Sequence, residues 1–492
     1  MLTMRGARIE RAQHVELGGV GPEPDDLSVI DYEYQADLCV HAVSRSAGGR
    51  VLKETKISAD GKRADYWNGY GRRRPVEHTE IYTAMLQRDA RGRIVEWRYL
   101  DASGDPAPMR DGTFIHRHVL DEGGHTITIT SFDGDGNPIE TDDGEHIKEF
   151  TLDELGRVNH VRYFDRRSEP VELRQGYHRT SHVWDAQNRL LERDQFDSSG
   201  HRATDRSDGC AAQRYHYDKQ GRLSARKCFG LNGEATKNLF GYSLVFRTFD
   251  GAGQVRSRGF YDGREPVLNV FGVHRSVANR QGLKTAWFFF DEKDAEPTTR
   301  AGGFASERNK DGFEVATGLI THDGKLWGGT AAPYTTFEWK KGVLRVVQYF
   351  DNQGAATNSF GVQREVRTYD QLSRITKREF YDANGAPVDA VVLRAIHLEL
   401  QDGRFGNLEK AEAETLAGRI QQALNAGMGF DTVYRKYDPS ALPRGKDGPP
   451  EVVIARSELR PEWAATVGGL AVGGVSQGIA NAKRISFIQR LH

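Results

Sequence analysis

Few side chains in this chain stand in an arrangement that could do chemistry, and each can be held against what its reaction would need. Gly474-Val475-Ser476-Gln477-Gly478 matches the GxSxG pattern, which places a serine nucleophile on a tight turn between a strand and a helix. The flanking residues supply neither that strand nor that helix, so Ser476 is not expected to be a nucleophile. Asp133, Asp135 and Asn137 begin like a calcium loop, but its sixth position holds Pro138 instead of glycine and its twelfth Gly144 instead of glutamate. Cys39, Cys210 and Cys228 have no ligand partner at metal-binding spacing and are too few for a disulfide framework. They are expected as isolated thiols in or near a core. His397, in the run VVLRAIHLELQ, reads by itself as a hydrogen-bonded core histidine. Arg72, Arg73 and Arg74 read as a solvated strand edge, where charge also discourages unwanted pairing.

The chain as a whole narrows the classes. At about 150 residues per domain, 492 residues suggest roughly three domains. Its 68 Lys and Arg balance 69 Asp and Glu, for a formal charge of −1. That balance gives no long-range attraction to nucleic acid or to an acidic membrane, so neither is expected as a partner. No run approaches about 18 consecutive apolar residues, and no membrane insertion is expected. The opening MLTMRGARIERAQHVELGG holds arginines but no apolar core of a signal peptide. As written, the chain reads as cytoplasmic; a truncated start would make the parent extracytoplasmic, so the address stays open. No cofactor and no metal are expected.

The elements come next, and here repetition dominates. An aromatic or Leu followed by Asp recurs in YLDASGDP, SFDGDGNP, YFDRRSEP and QFDSSGHR, with Asp101, Asp133, Asp165 and Asp197 each 32 residues apart. The series continues through Gly230, Asp262, Asp291, Asp351 and Asp382. Asp89, Asp121, Asp153, Asp185, Asp218 and Asp250 form a second series, and Gly112, Gly144, Gly176, Gly209, Gly241 and Gly272 a third. The 54 glycines fit such a density of turns, because Gly supplies the positive φ that turns need and Asp bonds its own backbone two residues on. Between turns, Val158 and Phe164, or Leu190 and Phe196, stand six apart, on one face of a strand. Trp184, Tyr217, Phe249 and Tyr369 end the other strand before Asp. Such aromatics could stack on sugars or bases, but their strict period reads as a core stripe. Each unit is therefore expected to hold two turns and two strands.

The predicted fold class is mainly β: a long antiparallel β-repeat array over 50–389, with 1–49 as an incomplete or irregular N-terminal segment. The Tyr/Phe-Asp-x-x-Gly signature resembles the tyrosine–aspartate repeats of bacterial RHS-type surface and toxin-shell proteins. The 32-residue period is longer than that family's, which leaves an open sheet, a solenoid and a closed shell as alternatives.

At Asp389 the rhythm stops. In NLEKAEAETLAGRIQQALNAG, Leu416, Ile420 and Leu424 make a helical stripe, with Asn407 as N-cap and Gly427 as stop. A short helix FDTVYRKY, a loop, a strand EVVIA, a helix opening at Pro461, and strands GGVSQGI and RISFIQRL follow. The order βααβαββ predicts a small α+β domain over 390–492.

Those pieces, RAIHLEL, LNAGMGFDTVYRKY, ELRPEWAATVGGLAVGGVSQGI and RISFIQRL, resemble in order and spacing the parvulin-type peptidyl-prolyl cis-trans isomerases. An X–Pro bond isomerises slowly because twisting the amide breaks its resonance. Catalysis of that step needs an apolar socket for the proline ring and polar groups favouring the twisted amide. The resemblance implies His397 as the first active-site histidine and Ser486 at the place of the last-strand histidine. It implies Leu459, Trp463 and Phe430 as the proline-binding residues, and Pro439 where the family has Cys or Asp. Only Arg404 and Lys410 follow the histidine strand, so no phosphate preference is expected. The expected function is isomerase- or chaperone-like binding of proline-containing polypeptide clients on a β-repeat scaffold; a non-catalytic repeat protein with a degenerate peptide-binding module is the alternative.

Overall fold

Most described repeats are punctuated by one local device, seen clearly at Asp185. Its N–H donates to the Arg189 carbonyl (2.9 Å), and its own carbonyl accepts from Asn188 (3.2 Å). Its Oδ1 accepts from the N–H groups of Gln187 (2.8 Å) and Arg189 (2.9 Å), while Arg189 Nε donates to Oδ2 (2.6 Å). The fourth residue is left-handed: Asn188 here (φ 61°), Gly156 (φ 75°) and Gly221 (φ 80°) in neighbouring units. A tight turn followed by a left-handed residue produces a bulge, and the strand register shifts there, between Val183 and Trp184. The Asp-x-x-Gly spelling is thus the record of one hairpin turn repeated.

In the computed structural model, the described residues are 2–5, 8–13, 27–35, 38–46, 51–76, 79–297, 301–328, 333–354, 360–399, 410–437, 451–459, 461–480 and 484–491. The chain is mainly β, with a long antiparallel sheet of consecutive strands. Arg179–Trp184 pairs with Leu190–Phe196 along the whole hairpin, and that hairpin joins the next through the shorter register Glu192↔Arg214 to Asp194↔Ala212. The alternation recurs through Ala212–Tyr217 with Leu223–Phe229 and Leu244–Phe249 with Val255–Asp262.

One expectation about the array changes. Each unit has three turns, not two. The glycine series marks a separate turn, such as Leu173–Tyr177 with Gly176 at φ 91°. These turns form a ladder of single bonds between units: Arg174 N–H to Asp143 C=O (2.8 Å), Arg206 to Gln175 (2.7 Å), Leu239 to Asp208 (2.8 Å) and Val270 to Phe240 (2.9 Å). The strand-ending aromatics are half-buried and tie back to the preceding unit, Trp184 Nε1 to the Val158 carbonyl (2.9 Å) and Tyr217 Oη to that of Leu190 (2.9 Å).

The cysteines also differ from expectation, because Cys210 and Cys228 form a disulfide (Cα–Cα 5.4 Å). Phe260 and Tyr242, whose ring centroids lie 4.8 Å apart, hold the corresponding positions one unit later. The repeat places that pair of positions in contact, so two cysteines spaced by 18 meet across the core without any short Cys-x-x-Cys signature. Cys39 remains a free thiol, and burial pushes its pKa up.

The molecule divides into two compact units: Met1–Glu314 with Lys340–Val343 and Asp370–Arg374, and Val315–Trp339 with Leu344–Tyr369 and Ile375–His492. Strand pairing continues across 49/50, with His41↔Lys56 joining Leu38–Ser46 to Val51–Ile57. Within the first unit, Arg72 Nη2 donates to the Asp370 carbonyl (2.5 Å), and Tyr82 Oη to that of Leu372 (2.7 Å). Arg73 Nη2 reaches Asp65 (3.1 Å) and Thr83 (2.7 Å). Arg72 and Arg73 are therefore bonded, not the solvated edge that a run of like charge suggests.

In the second unit, the strand Ala390–Glu399 lies between Val452–Ala455 and Arg484–Arg490, with Ile479–Ala480 beyond the latter. Helices α1 (Lys410–Asn425), α2 (Phe430–Tyr437) and α3 (Pro461–Gly469) complete this part. Of GGVSQGI, only its last residue Ile479, with Ala480, forms a strand, besides an isolated bridge from Val475 to Gln489. Ile420 of the expected stripe is fully buried, with Leu416 and Leu424 packed beside it. Gly427 closes α1 at φ 84°, its N–H on the Leu424 carbonyl (3.0 Å). Asn407, Arg404 and Pro439 lie outside the described residues.

Candidate functional site

Alternation along the histidine strand sorts its side chains onto two faces. Ile396 and Leu398 pack with Ile485, Phe487, Ile420, Val433 and Phe430, on the side that α1 and α2 cover. Val391 and Leu393 pack with Ile488, Ile454 and Val467, with Leu459 and Trp463 against them. His397 belongs by its odd number to this second face, that of α3.

There the structure brings three expected residues together. His397 and Ser486 are direct cross-strand partners, and Nδ1 lies 2.9 Å from the Ser486 hydroxyl. The imidazole stacks on the Trp463 indole, with centroids 6.4 Å apart and planes at 21°. Ser486 is buried, whereas His397, Leu459 and Trp463 are only partly covered. The hydroxyl therefore serves to orient the ring, the Trp463 indole flanks it, and Leu459 packs against the same buried cluster as Trp463. Phe430 is not part of this group. It is the first residue of α2 and is buried in the core on the opposite side of the sheet, because an N-terminal helical position there points toward Ile396 and Phe487.

Ser476 is buried as well; its N–H donates to the Ile488 carbonyl (2.8 Å) and its Oγ accepts the Ile488 N–H (2.9 Å). Both polar atoms are engaged in holding the last strand. No group of His, Cys, Asp and Glu that could hold a metal ion occurs among the described residues.

Sequence reasoning missed a chain of ion pairs on the other face. Arg394, three residues before His397, donates to Asp431 of α2 (2.8 and 3.0 Å) and to Glu451 (3.2 Å). Glu451 also accepts from Arg378 (2.8 Å), which reaches back to the fully buried Glu365 (3.3 Å). The one available signal was a lone arginine inside the apolar run VVLRAIHLEL.

No family model and no curated protein matches this chain. Among solved structures, a TcdB2–TccC3–TEV crystal structure aligns at 12% identity over 74% of this chain and 19% of its own, with a TM-score of 0.35. A TcdB2–TccC3 structure without its hypervariable C-terminal region aligns at 12% over 73% and 20%, with a TM-score of 0.26. A porin-like protein from Bacteroides uniformis aligns at 6% over 66% and 93%, with a TM-score of 0.15. The chain spans about a fifth of the TcdB2–TccC3 chains it matches. Scores of this size carry no argument about this protein.

Proposed function

We propose that the face formed by His397, Ser486, Leu459 and Trp463 binds a proline-containing polypeptide segment and assists rotation of its X–Pro bond. The repeat array, with its tyrosine–aspartate-like turns, is the scaffold that carries this α+β module. The observation that carries the reading is the stacking of His397 on Trp463 while Ser486 holds Nδ1. An apolar wall can take the ring of proline, and an imidazole fixed at its edge can hydrogen-bond the carbonyl that twists. No covalent bond forms or breaks; the site needs only to favour the twisted amide over the planar one.

A second reading is favoured by the burial of Ser486. A buried hydroxyl committed to His397 offers nothing directly to a substrate, so the same face could bind proline segments without accelerating their isomerisation.

Exchange spectroscopy on a proline peptide with the full chain separates the two. Isomerisation that falls about 5- to 150-fold in His397→Ala, the equivalent of one hydrogen bond of about 1–3 kcal/mol, supports catalysis. Saturable binding without acceleration leaves the binding module, and neither binding nor acceleration ends both readings.

A further inference from the structure

The last repeat and the C-terminal sheet share more than a chain connection. Val362 and Phe380, from the final repeat, lie in one buried cluster with Ala390, Val392, Val453 and Ala455. The backbone crosses the same junction, with the Ala455 N–H on the Phe360 carbonyl (2.8 Å) and that of Arg456 on Asp389 (2.9 Å). Through this contact runs an alternating series of charges: Glu365, Arg378, Glu451, Arg394 and Asp431.

Each step of the series has a reason. Glu365 is fully buried, and a buried carboxylate is tolerable only when paired. Arg367 holds it through both oxygens (2.7 and 2.9 Å), with Arg378 as its second cation. Arg378 is nearly buried too and splits its guanidinium between Glu365 and Glu451. Burial alone would raise the Glu451 carboxyl, but Arg378 and Arg394 outweigh it and hold the pKa below the usual range, so the group stays charged. Arg394 then spans from Glu451 to Asp431, in the first turn of α2.

We propose that the final repeat is a built-in part of the C-terminal module, and that Arg378 is a positioning residue which, through Glu451 and Arg394, fixes the histidine strand and α2. Arg394 acts from the face opposite to His397, so the effect on the site passes through the strand backbone. This inference does not depend on what the site binds.

Hydrogen–deuterium exchange on the full chain tests it. Arg378→Gln also removes one of the two cations on the buried Glu365, so its effect could be plain loosening of the final repeat. Glu451→Gln is therefore the deciding variant, because it leaves the Glu365 cluster intact. Its expected result is exchange about tenfold faster across 390–399 and 430–437, as loss of charged hydrogen bonds predicts, with 179–229 unchanged. Adding Arg378→Gln to it should speed 390–399 no further than Arg378→Gln alone. Unchanged exchange at 390–399 and 430–437 in Glu451→Gln would overturn the proposal.

Discussion

The repeat array and the C-terminal sheet are both antiparallel β, yet they are held together over opposite distances in sequence. In the array the recurring bonds are short-range: Asp185 binds residues two and four positions on, and each ladder bond joins one unit to the next. In the C-terminal part the defining contact, His397 to Ser486, spans 89 residues and occurs once. A structure made of similar neighbours can lose one contact and keep the rest. A structure made of single contacts cannot, and that is where the candidate site lies.

Core truncation should separate the two regions most strongly. Ile396 is fully buried, and Ile396→Ala should cost about 2–5 kcal/mol. Hydrogen exchange should then show protection lost together in 390–399, 410–437 and 484–490. Leu190→Ala removes an equally buried side chain, packed with Tyr215 and Leu223, and should loosen only its own and adjacent hairpins. Global loss of protection in Leu190→Ala would show that the array is one cooperative unit.

A smaller effect concerns acid. Burial lowers the pKa of His116 to about 4, helped by Lys148 and His118 and opposed by Asp111. Burial likewise lowers His182 to about 4, helped by Arg193 and His160. The unfolded chain protonates these residues near pH 6.5, so it binds more protons than the folded one between about 6.5 and 4. The stabilisation is complete above that window and is lost as the pH falls through it, by about 3 kcal/mol for each histidine. Denaturation midpoints for the array between pH 7 and 4 should show this slope, and His182→Asn should flatten it. An equal slope in the variant would remove His182 as its source.

The turns themselves should respond only slightly. Ser168 and Ser373 sit at the left-handed position (φ 63° each) that glycine takes in most units. Ser168→Gly should stabilise by about 1 kcal/mol, since an L side chain pays roughly that there. Thermal unfolding reads it directly, and a drop in stability would mean the serine does something other than occupy the turn.

The array was legible because its information is local and repeated. An aspartate whose carboxylate caps two amides, followed by a left-handed glycine, leaves a spelling that recurs at 32 residues, and the strands between follow from alternation. The C-terminal elements were legible because their signals are local too, though unrepeated: the helical stripe at Leu416, Ile420 and Leu424 and short apolar runs. What the spelling could not carry was which face a residue joins. Phe430 and Trp463 look alike as apolar residues near a helix start, but the sheet separates them.

Strand periods, the Asp-x-x-Gly turns and the order of most C-terminal elements can be read from the chain alone, because each follows from backbone chemistry within a few residues; the third turn of each unit and the loss of the strand at GGVSQGI cannot. Packing of the folded chain settles that Cys210 meets Cys228, that Arg72 is bonded, that His397 stacks on Trp463 and that Arg378 joins the final repeat to the histidine strand. Those contacts depend on how faces and registers are matched between strands, within one hairpin for the cysteines and across far larger separations for the rest. A change of one residue in register would reverse them while leaving every local preference satisfied.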